Sequence, residues 1–142
     1  MIIVKQEYAE KLIQRINRKE WWHVTPADPK SYTKRGKFLS STYREAEFYG
    51  RPNDMPERVT VRNPLIGDEA TIERTLLGAP VVRSKDAADW MDEQFAIDAK
   101  LYRAGRAEGY DAIVLLSPTN FAKFVAEGRL PLSIELNLIS TL

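Results

Sequence analysis

The sequence predicts a single α+β domain, and three observations carry that expectation. Helical patterns of unequal length separate the stretches that read as strands. Most of those stretches alternate polar with apolar residues, whereas the strands of a doubly wound parallel sheet are apolar throughout. The 142 residues also contain no internal repeat, low-complexity segment or linker at which a second domain could start, so residues 1–142 are read as one domain. With 44% hydrophobic and 29% charged residues, the chain can fill one core and keep a solvated surface.

The elements follow in order. Residues 5 to 18 place Ala9, Leu12, Ile13 and Ile16 at helical spacing with charges on the other side, an amphipathic opening helix. Residues 21 to 25, Trp-Trp-His-Val-Thr, are aromatic and β-prone and read as a strand. Two prolines and several turn formers make residues 26 to 35 a loop, and residues 36 to 41 read as a second short strand. Thr42, with Glu45 three positions on, forms a capping box for a helix over 43 to 49 that Gly50 ends. Residues 57 to 62 alternate as a half-buried strand does, and Asn63-Pro64 closes it. The stretch from 66 to 83 is weakly patterned. A long helix is expected from Ser84 to about Ala107, with Trp90, Met91, Phe95, Leu101 and Tyr102 near one stripe. Residues 112 to 116 are a continuous apolar run typical of a buried strand, and 119 to 128 a short helix closed by glycine. Over 132 to 139 the alternation turns Leu132, Ile134, Leu136 and Leu138 to the core and Glu135 to the other side.

Composition excludes several chemistries. The chain has no cysteine, which removes disulfides, thiolate catalysis and cysteine-ligated zinc, and its single histidine argues against any zinc site. Twenty-one basic against twenty acidic residues give no global field that would attract nucleic acid or an anionic membrane. The apolar start is four residues long, too short for a signal-peptide core or a membrane span, so a cytoplasmic protein with no membrane partner is expected. Neither a Gly-x-Gly-x-x-Gly nor a phosphate-loop motif is present, and no Gly-x-Ser-x-Gly elbow accompanies the histidine. On residue type alone His23 is either a satisfied strand histidine or a ligand-binding one.

An ordered set of short motifs resembles the ADP-ribosyltransferase family, in its diphtheria-toxin and poly-ADP-ribose-polymerase branch. His23-Val24-Thr25 resembles the family's His-Gly-[Ser/Thr] strand. Gly36-Lys37-Phe38-Leu39 is similar to its Gly-[Ile/Leu]-Tyr-[Phe/Leu] strand, and Tyr49 follows Phe38 by eleven residues, as a second family aromatic does. Val61-Arg62-Asn63-Pro64-Leu65, Gly109-Tyr110-Asp111-Ala112-Ile113 and Ile134-Glu135-Leu136 are similar to the family's later segments, the last of them to its glutamate strand. The sequence departs from the pattern at Val24, Phe38 and Ala112, and Ser133 is not the acidic or amide residue of arginine-modifying relatives.

The resemblance implies a split, two-sheet ADP-ribosyltransferase-like core and transfer of ADP-ribose from NAD to a macromolecular acceptor, a protein before a nucleic acid. Breaking the bond between nicotinamide and ribose leaves an oxocarbenium-like sugar, and a carboxylate is its natural stabiliser. By resemblance Glu135 is that catalytic carboxylate. Tyr49 would stack on the nicotinamide and Phe38 wall it, with His23, Val24, Thr25 and Ser40 completing the NAD site and no metal involved. Phe121 and Phe124, just before the glutamate strand, would help hold the acceptor. Lys30, Lys34, Arg35 and Lys37 either hold the NAD pyrophosphate or a negatively charged target, or form a solvated loop. Small size and a minimal layout would suit a toxin, phage or mobile-element effector. Two other functions stay open: a catalytically silent module that binds protein or nucleic acid, and an NAD glycohydrolase.

Overall fold

Four short strands, β1 (Lys37–Ser40), β2 (Pro64–Gly67), β3 (Ala112–Leu115) and β4 (Glu135–Leu138), form one mixed sheet in the order β1-β4-β3-β2. This arrangement comes from a computed structural model, and the structure describes residues 4–26, 30–47, 50–52, 55–83 and 89–139. Strand β4 lies at the centre, antiparallel to β1 on one side and to β3 on the other, and β2 runs parallel to β3. Two isolated antiparallel bridges, Trp22 with Ser40 and Trp21 with Glu57, extend the sheet beyond β1. The expectation of an α+β domain holds. The expectation of two sheets does not hold among the described residues, where the strands share one sheet.

Register assigns the faces. Leu39 is paired with Leu136, and Leu136 with Val114, so these three point to one side, while Phe38 with Asn137 and Ser40 with Glu135 point to the other. The first face packs on helices α1 (Gln6–Arg18) and α6 (Pro118–Glu127): Leu12, Ile16, Phe121 and Phe124 join Leu39, Ile66, Val114 and Leu136 in an apolar cluster. The second face meets α4 (Glu69–Leu77) and α5 (Trp90–Ala107), where Ile72 and Tyr102 pack on Leu65 and Ile113. The result is a sheet between two helical layers.

Local chemistry accounts for most element ends. Asp68 caps α4, accepting the Thr71 amide at 2.8 Å, and Ser117 caps α6, accepting that of Asn120 at 3.2 Å, with Pro118 in the first turn. The capping box at Thr42 forms as expected: the Glu45 amide donates to Thr42 Oγ1 at 3.1 Å and the Thr42 hydroxyl to the Glu45 carboxylate at 3.0 Å, starting α3 (Tyr43–Glu47). Gly36 joins α2 (Ser31–Arg35) to β1 at φ 89°, where an added Cβ would collide with Asn137 Oδ1.

Several elements differ from their sequence patterns. Residues 57 to 62 make a single bridge instead of a strand, because Asn17 of α1 takes the ladder's place: its side-chain amide donates to the Val61 carbonyl at 2.9 Å and accepts the Val61 amide at 2.7 Å. Pro64 begins β2 instead of closing a strand, as a proline can at the first position of an edge strand. The turn formers before Gly36 include the short helix α2, and the weakly patterned stretch holds the end of β2 and all of α4. Leu132 is 83% exposed, because the last strand starts at Glu135.

Candidate functional site

Of the residues singled out by sequence, Glu135 and Phe38 come together. Both point to the second face of the sheet and line an open cleft between β4, β1, α4 and α5, whose free space is about 80 Å³. Phe38 is 46% exposed, so its ring is available to a ligand. Ser40 pairs directly with Glu135 and shares its face, but it is buried and frames the strand pair instead of the cleft.

His23 does not join them. Trp22, not His23, pairs with Ser40, so alternation puts Trp22 on the face of Glu135 and His23 on the face of Leu39. There His23 is 8% exposed, with Nδ1 3.7 Å from Glu57 Oε1, and Lys37 Nζ sits 2.6 Å from the same carboxylate oxygen. Lys37 alternates with Phe38 along β1 and so also leaves the sheet on the far side from Glu135. Burial, first, and the Lys37 charge lower the His23 pKa, with Glu57 opposing. The expectation that imidazole and carboxylate enclose one ligand is corrected here: a one-residue difference in strand register turns a side chain to the opposite face. Val24 is half-buried and Thr25 exposed, beyond the last bridge of that segment.

The acceptor assignment is corrected as well. Phe121 and Phe124 are 3% and 0% exposed and sit in the apolar cluster beneath α6, unavailable to a partner. Their spacing of three places both on the inner side of the helix. Tyr49 lies outside the described residues. Of the four cations near α2, Arg35 stacks on Phe95 at 3.8 Å from the ring centroid and Lys37 pairs with Glu57.

The cleft contains groups that sequence reading did not single out. Glu73, 2% exposed, is held by Arg83, whose Nη2 lies 2.7 Å from Glu73 Oε2 and 2.7 Å from Glu69 Oε1. The Val81 amide donates to the other Glu73 oxygen at 2.7 Å. Arg83 Nε also donates to Gln94 Oε1 at 3.4 Å, and Gln94 Nε2 donates to Asp98 Oδ1 at 2.9 Å. Burial raises the Asp98 pKa above its ordinary range and the Glu135 charge adds to the rise, while the Gln94 hydrogen bond and the charges of Arg35 and Arg83 oppose it. Two carboxyls, one on the central strand and one on α5, therefore share a half-buried space beside an exposed aromatic ring. Helical spacing of Gln94 and Asp98 was the available signal for this pair, but nothing in the sequence turns that side of α5 to β4.

Among the described residues no group of three His, Cys, Asp or Glu side chains is arranged to hold a metal ion, and no helix is long and apolar enough to cross a membrane. No protein-family model, curated protein or solved structure matches the chain.

Proposed function

We propose that the chain is an NAD-dependent ADP-ribosyltransferase that works from the Glu135 cleft, on the face of the sheet opposite His23. One observation carries the reading: Glu135, on the central strand, shares its cleft with the exposed ring of Phe38 on the neighbouring strand. A partly desolvated carboxylate beside an aromatic wall suits a reaction in which a cationic ring leaves a sugar that becomes positively charged. Of the segments that carry the family resemblance, those holding Phe38 and Glu135 are neighbouring strands, since β1 pairs with β4.

The cleft's size and charge refine the proposal. Free space of about 80 Å³ takes part of one ring, so the rest of a dinucleotide would lie along the mouth. Glu69, Glu73, Asp98 and Glu135 outnumber Arg83 among the lining residues. A nucleic acid would bring many phosphates to such a lining, whereas NAD brings one pyrophosphate, which favours a protein acceptor over a nucleic acid. Arg35, stacked on Phe95 and close enough to influence Asp98, is the cation at this edge suited to the NAD pyrophosphate.

The test is incubation with NAD labelled in its adenylate part. Label on a macromolecule supports transfer, and free ADP-ribose alone points to a glycohydrolase. Glu135→Gln keeps the shape and removes the charge, and it is expected to slow turnover by about 100-fold or more. Full activity in that variant removes Glu135 from the mechanism. A module that binds without turnover is the second reading, favoured by the placement of His23 on the far face, and unchanged NAD is its expected result.

A further inference from the structure

We propose that Asp98 is the second reacting carboxyl of the Glu135 cleft, the group that takes the proton from the attacking hydroxyl of the acceptor. The inference rests on the reading of this cleft as a site of ADP-ribosyl transfer. Asp98 enters from α5, in the helical layer that covers Glu135's face of the sheet. A chain of side chains fixes its orientation: buried Glu73 holds Arg83 at 2.7 Å, Arg83 Nε donates to Gln94 Oε1 at 3.4 Å, and the Gln94 amino group is thereby turned to donate to Asp98 Oδ1 at 2.9 Å. The amide orientation follows from this network, since its oxygen must face the guanidinium.

Pinning α4 to α5 needs none of the last step. An Arg83 bridge from Glu73 to Gln94 already joins the loop after α4 to α5. Continuing the chain to a second carboxyl places two like charges in one low-dielectric space, an arrangement that lowers stability and is characteristic of acid-base sites. The charged groups facing Asp98 are Arg35 from α2, Arg83 from the segment after α4, and Glu135 from β4, with Gln94 from its own helix. The two cations keep Asp98 able to ionise, and the buried setting makes it a stronger base than an exposed aspartate.

The acceptor oxygen forms a bond to the anomeric carbon of the nicotinamide ribose as the bond from that carbon to the nicotinamide nitrogen breaks. The electron pair of the broken bond stays on nitrogen and neutralises the pyridinium. The acceptor proton passes to Asp98, and the Glu135 side chain faces the cationic sugar.

The experiment compares wild type, Asp98→Asn and Glu135→Gln in the labelled-NAD assay across pH, with exposed Asp92→Asn on the same helix as control. Asparagine at position 98 can still accept the Gln94 hydrogen bond, so a purely structural role predicts wild-type turnover. A base role predicts a loss of about 100-fold or more, and disappearance of the acid limb of the pH profile from the rate that remains. Turnover within threefold of wild type, with an unchanged profile, overturns the proposal while leaving the Glu135 reading intact. Carboxyl-carbon NMR titration supplies a measure that needs no activity: the Asp98 midpoint is expected to fall in Glu135→Gln, and an unmoved midpoint overturns the pairing of the two groups. Wild type that leaves NAD intact overturns the transfer reading and the base role together.

Discussion

Against α1 and α6 the sheet presents Leu39, Ile66, Val114 and Leu136 to a cluster of apolar side chains, whereas against α4 and α5 the same strands present Phe38, Glu135 and Asn137 to a cleft that contains Glu73, Arg83, Gln94 and Asp98. Beneath α1 and α6 the first face can be packed by size and shape alone, its His23, Lys37 and Glu57 side chains meeting one another outside that cluster. The second must satisfy each polar group it covers, and a side chain removed there exposes or strands a charge instead of leaving a cavity. The two faces therefore differ in what a substitution does.

The largest expected effect tests the apolar face. Phe124→Ala deletes a fully buried ring and is expected to destabilise the protein by about 3–5 kcal/mol in denaturant titration. If the faces are energetically separate, the surviving folded protein keeps its NAD behaviour; a loss of turnover larger than the loss of folded protein would break the comparison. A smaller effect tests the polar face. Arg83→Ala leaves the carboxylate of Glu73 buried with the Val81 amide as a remaining donor, and a cost of about 1–3 kcal/mol is expected, reduced because Arg83 is itself one-third exposed.

The smallest effect has the opposite sign. Asp98 has a folded-state pKa above its ordinary value of 3.8, so its contribution to stability is fully present below that value and lost as pH rises through the folded one. At pH 7 the ionised carboxyl destabilises the fold. Asp98→Asn is accordingly expected to melt above wild type at pH 7, with the gap closing below about pH 3.8, and a variant less stable than wild type at neutral pH would mean that the carboxylate is structural.

The two faces also differ in how far the sequence reveals them. Leu12 and Ile16 on α1, Phe121 and Phe124 on α6, and Ile134 and Leu136 at the last strand repeat at helix and strand periods, so the apolar face and the capping box at Thr42 are legible from local pattern. An acceptor role for Phe121 and Phe124 follows only from their position before the glutamate strand, as the resemblance implies, whereas their apolar spacing matches the core in which they sit. The polar face depends on register. Trp21 and Trp22 are chemically alike in sequence, and the pairing of Trp22 with Ser40 decides that Trp21 is buried while the following histidine shares the side of Lys37 and Glu57. Residues 57 to 62 carry the alternation of a strand and yet spend the Val61 hydrogen bonds on Asn17, a partner 44 positions away that no local pattern indicates. Trp90, Met91 and Phe95 fit a helical stripe, but they are 56%, 50% and 42% exposed, so the stripe does not mark a buried face at the start of α5.

Placing β4 between β1 and β3 sets an order of events during translation. Both neighbours leave the ribosome before residues 135 to 138 do, so each must wait with an unpaired backbone edge while roughly twenty to a hundred further residues are added. The nascent chain thus carries its greatest risk of intermolecular strand pairing just before the segment bearing Glu135 emerges, and insertion of that segment closes both edges at once.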